Sequence, residues 1–168
     1  MGMTGKARNK KASPQRRNSP LFEGVWLGLW SGMALGLFFK LVQASTGSLV
    51  YTLLLNVDFL PFARLLRLER LPEWLEFALH LTVSLALGVA CVRLIRRGWR
   101  PVRTGLLLGL LPAPLFVPLT LLSERTPRLD DPVALAWWLA GHLLYGVLLA
   151  CWGICFKKRG EALHAKSV

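Results

Sequence analysis

The sequence is poor in the side chains that carry most enzyme chemistry. Of its 168 residues, only nine are Asp or Glu, three are Cys and three are His. It contains no Cys-x-x-Cys pair, no His-Glu-x-x-His and no glycine-rich phosphate loop. None of Ser31, Ser84 and Ser123 lies in a Gly-x-Ser-x-Gly setting. We therefore expect a protein that is not an enzyme and that binds neither a metal nor a cofactor.

Acidic residues are also missing from the places where membrane catalysts and exchangers need them. A membrane aspartyl peptidase needs two neighbouring acids, and Asp58 has no clear second Asp within an apolar run. A small multidrug-type exchanger needs a carboxylate in the middle of the membrane, whereas Glu23 lies near the end of its run. Both classes are disfavoured.

Apolar residues, in contrast, are abundant. They make up 54% of the chain, and the mean hydropathy is +0.45, which is too high for an ordinary soluble domain of this length. Four runs approach or exceed the roughly 20 residues that cross a bilayer as a helix. They cover residues 21–42, 77–95, 104–123 and 132–156. The sequence predicts an all-α membrane protein, a bundle of four transmembrane helices within residues 21–156.

The positive charges lie at the ends of these runs. The net charge is +12, and this placement indicates contact with anionic lipid headgroups rather than with nucleic acid. Fifteen Lys and Arg fall on the side that holds both chain ends and the turn 93–103, and six fall on the other side. Because Lys and Arg resist translocation, we expect a bacterial inner (plasma) membrane protein with both termini in the cytoplasm. Residues 1–20 and 157–168 would be basic cytoplasmic tails, the first of them disordered.

The long outer segment, residues 45–74, is not a simple loop. Residues 49–62 are apolar, but Asn56, Asp58 and Pro61 interrupt them too early for a fifth span. Leucines then alternate with arginines over residues 64–71. We expect an amphipathic helix in the outer interface, with Trp74 at the headgroup level; a re-entrant hairpin is the alternative.

Glycines recur at four-residue intervals in the first run, a pattern called a glycine zipper. Gly24, Gly28, Gly32 and Gly36 form a bare strip on one helix face, along which another helix can approach closely. The partner would be another helix of this chain, a second copy in a homo-oligomer or another membrane protein. Small residues recur similarly in the later runs, at Ala78, Thr82, Ala86 and Ala90, at Gly105 and Gly109, and at Ala136, Ala140, Gly141, Gly146, Ala150 and Gly153.

Two histidines and a tyrosine are candidate functional polar residues. His142 lies about 15 Å below the outer surface, with Tyr145 one turn further along. His80 follows Glu76 by one turn, and these two residues would join His142 if the second and fourth helices touch. An ionisable group at this depth is a functional candidate, for example as a proton relay. The alternative is a neutral imidazole that donates to a backbone carbonyl.

Three prolines crowd the third run. Pro112 and Pro114 each remove a backbone donor, so with Pro118 they predict a kinked or locally unwound helix. Broken helices form binding sites in transporters, although prolines also bend helices without further function. The main expectation is a non-enzymatic membrane component or assembly partner that packs through the glycine strip. The alternative is a small transporter or channel subunit that uses His142 and the kinked helix.

The arrangement of these features resembles the YqhR-like family of small four-helix membrane proteins from spore-forming bacteria. The similar points are the stretch Leu144-Tyr145-Gly146-Val147, the short basic turn before a glycine-rich third helix, and the long outer segment with Asn56-Val57-Asp58 and Pro61. The resemblance implies the same four-helix architecture and no particular activity.

Overall fold

The computed structural model describes residues 19–56 and 71–165, with side chains up to residue 156. Within these ranges all regular structure is helical, as predicted. The helices are α1 (Pro20–Thr46), α2 (Val50–Leu55), α3 (Glu73–Arg96), α4 (Pro101–Leu110), a 3-10 turn (Ala113–Leu115), α5 (Phe116–Leu121) and α6 (Pro132–Ala165). We call residues 101–121 the broken helix. Four helices are long and apolar enough to cross a membrane: α1, α3, the broken helix, and α6 as far as Phe156. Four such helices are typical of a multi-pass membrane protein.

Local signals set the helix ends. The Ser19 hydroxyl accepts a hydrogen bond from the Phe22 N–H, and Pro20 occupies the first turn, where its missing N–H costs nothing. α1 ends at Gly47, whose φ of 77° is left-handed. α6 begins after Asp131, whose carboxylate accepts the N–H groups of two residues in its first turn. These caps satisfy groups that the helices leave unpaired.

α1 and α3 pack together along the glycine strip. All four glycines are buried against α3, and a methyl group on Gly28 would lie 2.7 Å from the Cα atom of Leu85. From the other side, a methyl group on Gly88 would lie 2.5 Å from the Gly28 nitrogen. The strip is thus occupied within the chain. The interpretation that leaves it free for a second copy or another protein is wrong for this face of α1.

The face of α3 that meets α1 is not the one that the small-residue spacing predicted. Ala78, Thr82 and Ala86 are exposed, whereas Ser84 and Gly88 are buried against α1. Gly88 allows backbone approach, and Ser84 donates a hydrogen bond of 2.7 Å to the Gly28 carbonyl. A polar partner thus fixes the register of the pair.

A second close pair forms between α4 and α6. A methyl group on Gly105 would lie 2.5 Å from the Ala150 nitrogen, and one on Gly109 would overlap Gly146. Both glycine-mediated pairs lie toward the arginine-rich turn 97–100, where a Glu23–Arg96 ion pair of 2.6 Å also joins α1 to α3. We call this end of the bundle the packed half.

Aromatic rings join the two pairs at the opposite end. The rings of Phe39 in α1 and Trp138 in α6 are stacked, with centroids 5.5 Å apart and planes 10° apart. Phe39 also covers Gly141, where a methyl group would overlap the ring. At this end large rings, and not glycines alone, therefore form the contact between α1 and α6.

The broken helix confirms the prediction made from its prolines. Pro112 and Pro114 cannot donate to the carbonyls of Leu108 and Leu110, and the chain leaves the α-helix after Leu110. It passes through the 3-10 turn and resumes as α5. The indole N–H of Trp138 donates to the Ala113 carbonyl in this turn at 2.9 Å. The same carbonyl also accepts the Phe116 N–H, so α6 adds a second donor at the break.

Only part of the outer segment is described. α2 is short and buried, with Val50 and Leu53 fully covered, and the Gln43 amide oxygen accepts the N–H groups of Tyr51 and Thr52 at 3.0 Å. α2 therefore packs onto the bundle.

The predicted interfacial helix falls mainly on residues 57–70, which lie outside the described residues, as does nearly all of the basic tail 1–20. In the second predicted tail, 157–168, the helical backbone of α6 extends to Ala165.

Candidate functional site

A cavity of about 340 Å³ lies between α1, α3, the broken helix and α6. Most of its lining is apolar, from leucines, Val83, Pro112 and the Trp138 ring. Its polar lining residues are Asn56, His80, Thr82, Ser84, His142 and Tyr145. The sequence-predicted residues His80, His142 and Tyr145 are thus brought together at one cavity. We call the end of the bundle that contains this cavity and the 3-10 turn (Ala113–Leu115) the hollow half.

His142 is enclosed by aromatic rings and bonded to its own helix. Its residue is only 2% exposed, and the ring centroid lies 4.3 Å from that of Trp138 and 5.9 Å from that of Phe39. Its Nδ1 lies 2.9 Å from the Trp138 carbonyl oxygen. A carbonyl only accepts, so Nδ1 carries the proton and donates. This is the hydrogen bond to a backbone carbonyl that was predicted from the sequence as the alternative to a proton relay. In a neutral imidazole Nε2 is then an acceptor.

His80 reaches the same cavity from α3. Its Nε2 lies 3.3 Å from the Gly32 carbonyl oxygen on α1, so by the same reasoning Nε2 donates and Nδ1 is left as an acceptor. Gly32 has no side chain, and this allows the imidazole to approach the α1 backbone. A glycine of the predicted strip therefore also serves the cavity.

Glu76 does not join the two histidines. Its carboxylate lies 3.6 Å from the Arg125 guanidinium in the loop before α6, and Glu76 does not line the cavity. The predicted cluster of Glu76, His80 and His142 is therefore wrong in its acidic member. Among residues 19–56 and 71–156, no three His, Cys, Asp or Glu are grouped so as to hold a metal.

Tyr145 connects α6 to the α1–α3 pair. The Ser84 hydroxyl donates its proton to the Gly28 carbonyl and is therefore an acceptor for Tyr145. The Tyr145 hydroxyl donates toward the Ser84 Oγ at 3.0 Å and the Ser84 carbonyl oxygen at 3.2 Å. Tyr145 is 2% exposed. This buried hydrogen-bond chain crosses three helices at the boundary between the cavity and the packed half.

Several donors around the cavity bond to protein carbonyls and hydroxyls. Thr82 donates to Ala78, and the Asn56 amide donates to the Leu119 carbonyl near the end of α5, where helix carbonyls lack partners. For His142 Nε2 and His80 Nδ1, the described part of the chain supplies no donor. The cavity thus offers apolar surface together with two hydrogen-bond acceptors.

The cavity opens sideways between α3 and the broken helix. Val83 and Leu115, which line it, are 57% and 49% exposed. Both lie near the middle of helices that could cross a membrane, so in a bilayer this opening would face lipid tails rather than water. The broken helix borders the opening directly.

Several site residues carried too weak a signal to be singled out from sequence. Ser84 follows Gly28 by 56 residues, and Trp138 is one of seven tryptophans. Their roles depend on which helix faces which, and that is not encoded within a single run. The one local signal was proline, because Pro112 and Pro114 cannot donate to the carbonyls of Leu108 and Leu110 and so predict a break near the residues that Trp138 contacts.

Comparisons with protein-family models, with curated proteins and with solved structures find no match to this chain. The resemblance to the YqhR-like family stays a prediction.

Proposed function

We propose that the chain is a multi-pass protein of a bacterial plasma membrane that binds a small, mainly apolar molecule taken up from the lipid into the cavity. The observation that carries this proposal is the lining itself. A mainly apolar space at the break in a membrane-length helix presents two imidazole nitrogens that have no donor in the described structure. The ligand would be an apolar molecule with a hydroxyl or amine donor, such as a lipid-soluble alcohol or phenol.

The distribution of charge supports the orientation. Arg93, Arg96, Arg97, Arg100 and Arg103 surround the turn between α3 and α4, at the end where α1 begins. Acidic residues lie at the opposite end, at Glu73, Glu76, Asp130 and Asp131. With arginines retained inside, both termini are cytoplasmic and α2 lies on the outer side.

The size of the cavity supports a small ligand. Its volume of about 340 Å³ falls at the low end of the range of roughly 300–1,000 Å³ for ligand sites. An empty apolar space of this size forfeits packing that a close-packed interior would make. A ligand with one polar group and a compact apolar body would recover that packing.

The broken helix favours a second candidate, in which the same site serves a small transporter. Discontinuous helices at membrane depth are where transporters bind their substrates. The two roles differ in one measurement, because only a transporter would move the bound molecule between the two sides of a proteoliposome.

The experiment compares 1-naphthol with naphthalene, which has the same rings but no hydroxyl. Binding to the detergent-solubilised protein is measured by equilibrium dialysis against protein-free micelles. We expect 1-naphthol to bind about fivefold more tightly, because one hydrogen bond to an imidazole acceptor contributes about 1 kcal/mol. His142→Phe should reduce this preference, and replacement of both His142 and His80 by Phe should remove it, while naphthalene binding stays in place.

The matched control is Leu143→Phe, which introduces the same ring on the exposed side of the same helix turn. It should leave the naphthol preference unchanged. His80→Phe tests the second acceptor independently if His142→Phe alters thermal stability. Equal binding of the two compounds to wild type, or a preference that survives both histidine replacements, would overturn the proposal.

A further inference from the structure

A second open space lies on the other face of the α1–α3 pair. This groove has a volume of about 830 Å³ and runs between α1 and α3 from Trp30 to Lys40. Its floor and sides are apolar, from Met33, Leu37 and Phe77, and its outer end carries Lys40, Glu73 and Tyr51. It shares no lining residue with the central cavity.

The charged end of the groove is a preorganised pair of opposite charges. The Lys40 ammonium lies 3.1 Å from a Glu73 carboxylate oxygen, and the Tyr51 hydroxyl donates to the same oxygen at 3.0 Å. The Lys40 Nζ also lies 5.2 Å from the centre of the Tyr51 ring. Tyr51 thus holds both charges at the mouth of the groove.

Tyr51 is suited to remain a donor under all physiological conditions. Burial, together with its hydrogen bond to Glu73, raises the pKa of Tyr51 to about 12. Lys40 and Glu73, in contrast, have side chains 60% and 61% exposed, so their mutual contact is worth little and both charges can engage other ions.

The length of the groove matches one leaflet of a bilayer. From Lys40 to Trp30 is ten residues of helix, about 15 Å, which is half of a hydrocarbon core of about 30 Å. Trp74, beside the charged end, is 70% exposed. Exposed tryptophans are typical of the headgroup level.

We propose that this groove binds a zwitterionic glycerophospholipid with a primary ammonium, that is, a phosphatidylethanolamine. Its phosphate pairs with Lys40 and its ammonium with Glu73, while an acyl chain lies along Met33, Leu37 and Phe77. The charge arrangement selects this occupant. One positive and one negative side chain match a headgroup that carries both signs, whereas an anionic headgroup would meet the Glu73 carboxylate. A primary ammonium also donates hydrogen bonds to a carboxylate, and a quaternary one has no N–H to donate.

The test is native mass spectrometry of the delipidated protein with equal amounts of phosphatidylethanolamine, phosphatidylcholine and phosphatidylglycerol. We expect wild type to retain phosphatidylethanolamine preferentially. Glu73→Gln should lower its occupancy about fivefold relative to phosphatidylglycerol, the effect of one exposed charge contact. Lys40→Gln should lower the occupancy of all three phosphate-bearing lipids.

The matched control is Arg128→Gln. Arg128 and Asp130 form another exposed pair, 2.8 Å apart, at the same end of the bundle but not lining the groove. This variant should bind like wild type. Equal retention of the three lipids by wild type, or an identical effect of Arg128→Gln and Glu73→Gln, would overturn the proposal. Either result would leave the naphthol measurement in the central cavity unaffected, so the two proposals fail separately.

Discussion

The packed half and the hollow half of the bundle are built from the same four helices but solve the packing problem differently. In the packed half, glycines at positions 24, 28, 88, 105 and 109 bring helix backbones into direct contact. In the hollow half, the rings of Phe39, Trp138 and His142 form the contact between α1 and α6, and a cavity lies beside them at the break in the third membrane-length helix.

The difference separates the contacts that stabilise the bundle from the space in which we propose that a ligand binds. Because lipid gives helices no hydrophobic reason to associate, close backbone contact is the main source of attraction between them. The packed half has this contact. The hollow half gives up contact and gains a space with unused hydrogen-bond acceptors, an arrangement typical of sites that trade stability for binding.

The largest expected loss of stability in the packed half is at Gly28. Gly28→Leu places a large side chain where a single methyl would already overlap the Ser84 carbonyl group, so α1 and α3 must separate. We expect a loss of about 3 kcal/mol or more in the free energy of unfolding, at the upper end of overpacking effects. Thermal unfolding in detergent measures it. Ala86→Leu, on the exposed face of α3, adds bulk without a facing helix and should leave the midpoint within a few degrees.

Should Gly28→Leu unfold at the wild-type temperature while Ala86→Leu is destabilised, the two faces of α3 would have been assigned the wrong way round. The exposed small residues of α3 would then be the packing face.

The α4–α6 pair offers a sharper comparison, because replacing Gly by Ala is expected to change stability differently on α4 and on α6. Gly109→Ala drives a methyl group into the Gly146 backbone, whereas Gly146→Ala places its methyl 3.1 Å from the nearest atom, the Gly105 carbonyl oxygen. We expect Gly109→Ala to cost about 1–3 kcal/mol. For Gly146→Ala, the gain in helix propensity of about 1 kcal/mol should offset the tighter contact. Chemical unfolding of both variants in mixed micelles gives the two values, and equal values would contradict this geometry.

Sequence reasoning predicted the elements of both halves better than their partnerships. The four membrane-length helices follow from hydropathy, because each run must shield its own backbone from lipid regardless of its neighbours. The break near Pro112 follows from the missing donors. These are properties of single segments, and the structure confirms them.

Which helices pack together depends on which face of each helix is buried, and sequence periodicity alone does not identify that face. Ala78, Thr82 and Ala86 have the right spacing for a packing strip, yet Ser84 and Gly88 are the buried face, because Ser84 can also satisfy Gly28 and Tyr145. His142 was identified from its depth. In the structure His142 shares a cavity with His80, whereas Glu76 lies beside Arg125. The position of Glu76 depends on where the loop before α6 lies, which the sequence does not indicate.

The smallest effect tests the hollow half directly, by adding the same bulk to both halves. Leu35 in α1 lines the cavity, whereas Leu149 in α6 is fully buried away from it, and both are core residues. Leu149→Phe should cost about 1–3 kcal/mol through overpacking. Leu35→Phe can extend its ring into empty space and should change stability by less than about 1 kcal/mol, while reducing naphthol binding. Thermal unfolding and equilibrium dialysis of the two variants measure both quantities. If Leu35→Phe is as destabilising as Leu149→Phe and leaves naphthol binding intact, the space beside His142 is not an available cavity, and the two halves are equally well packed.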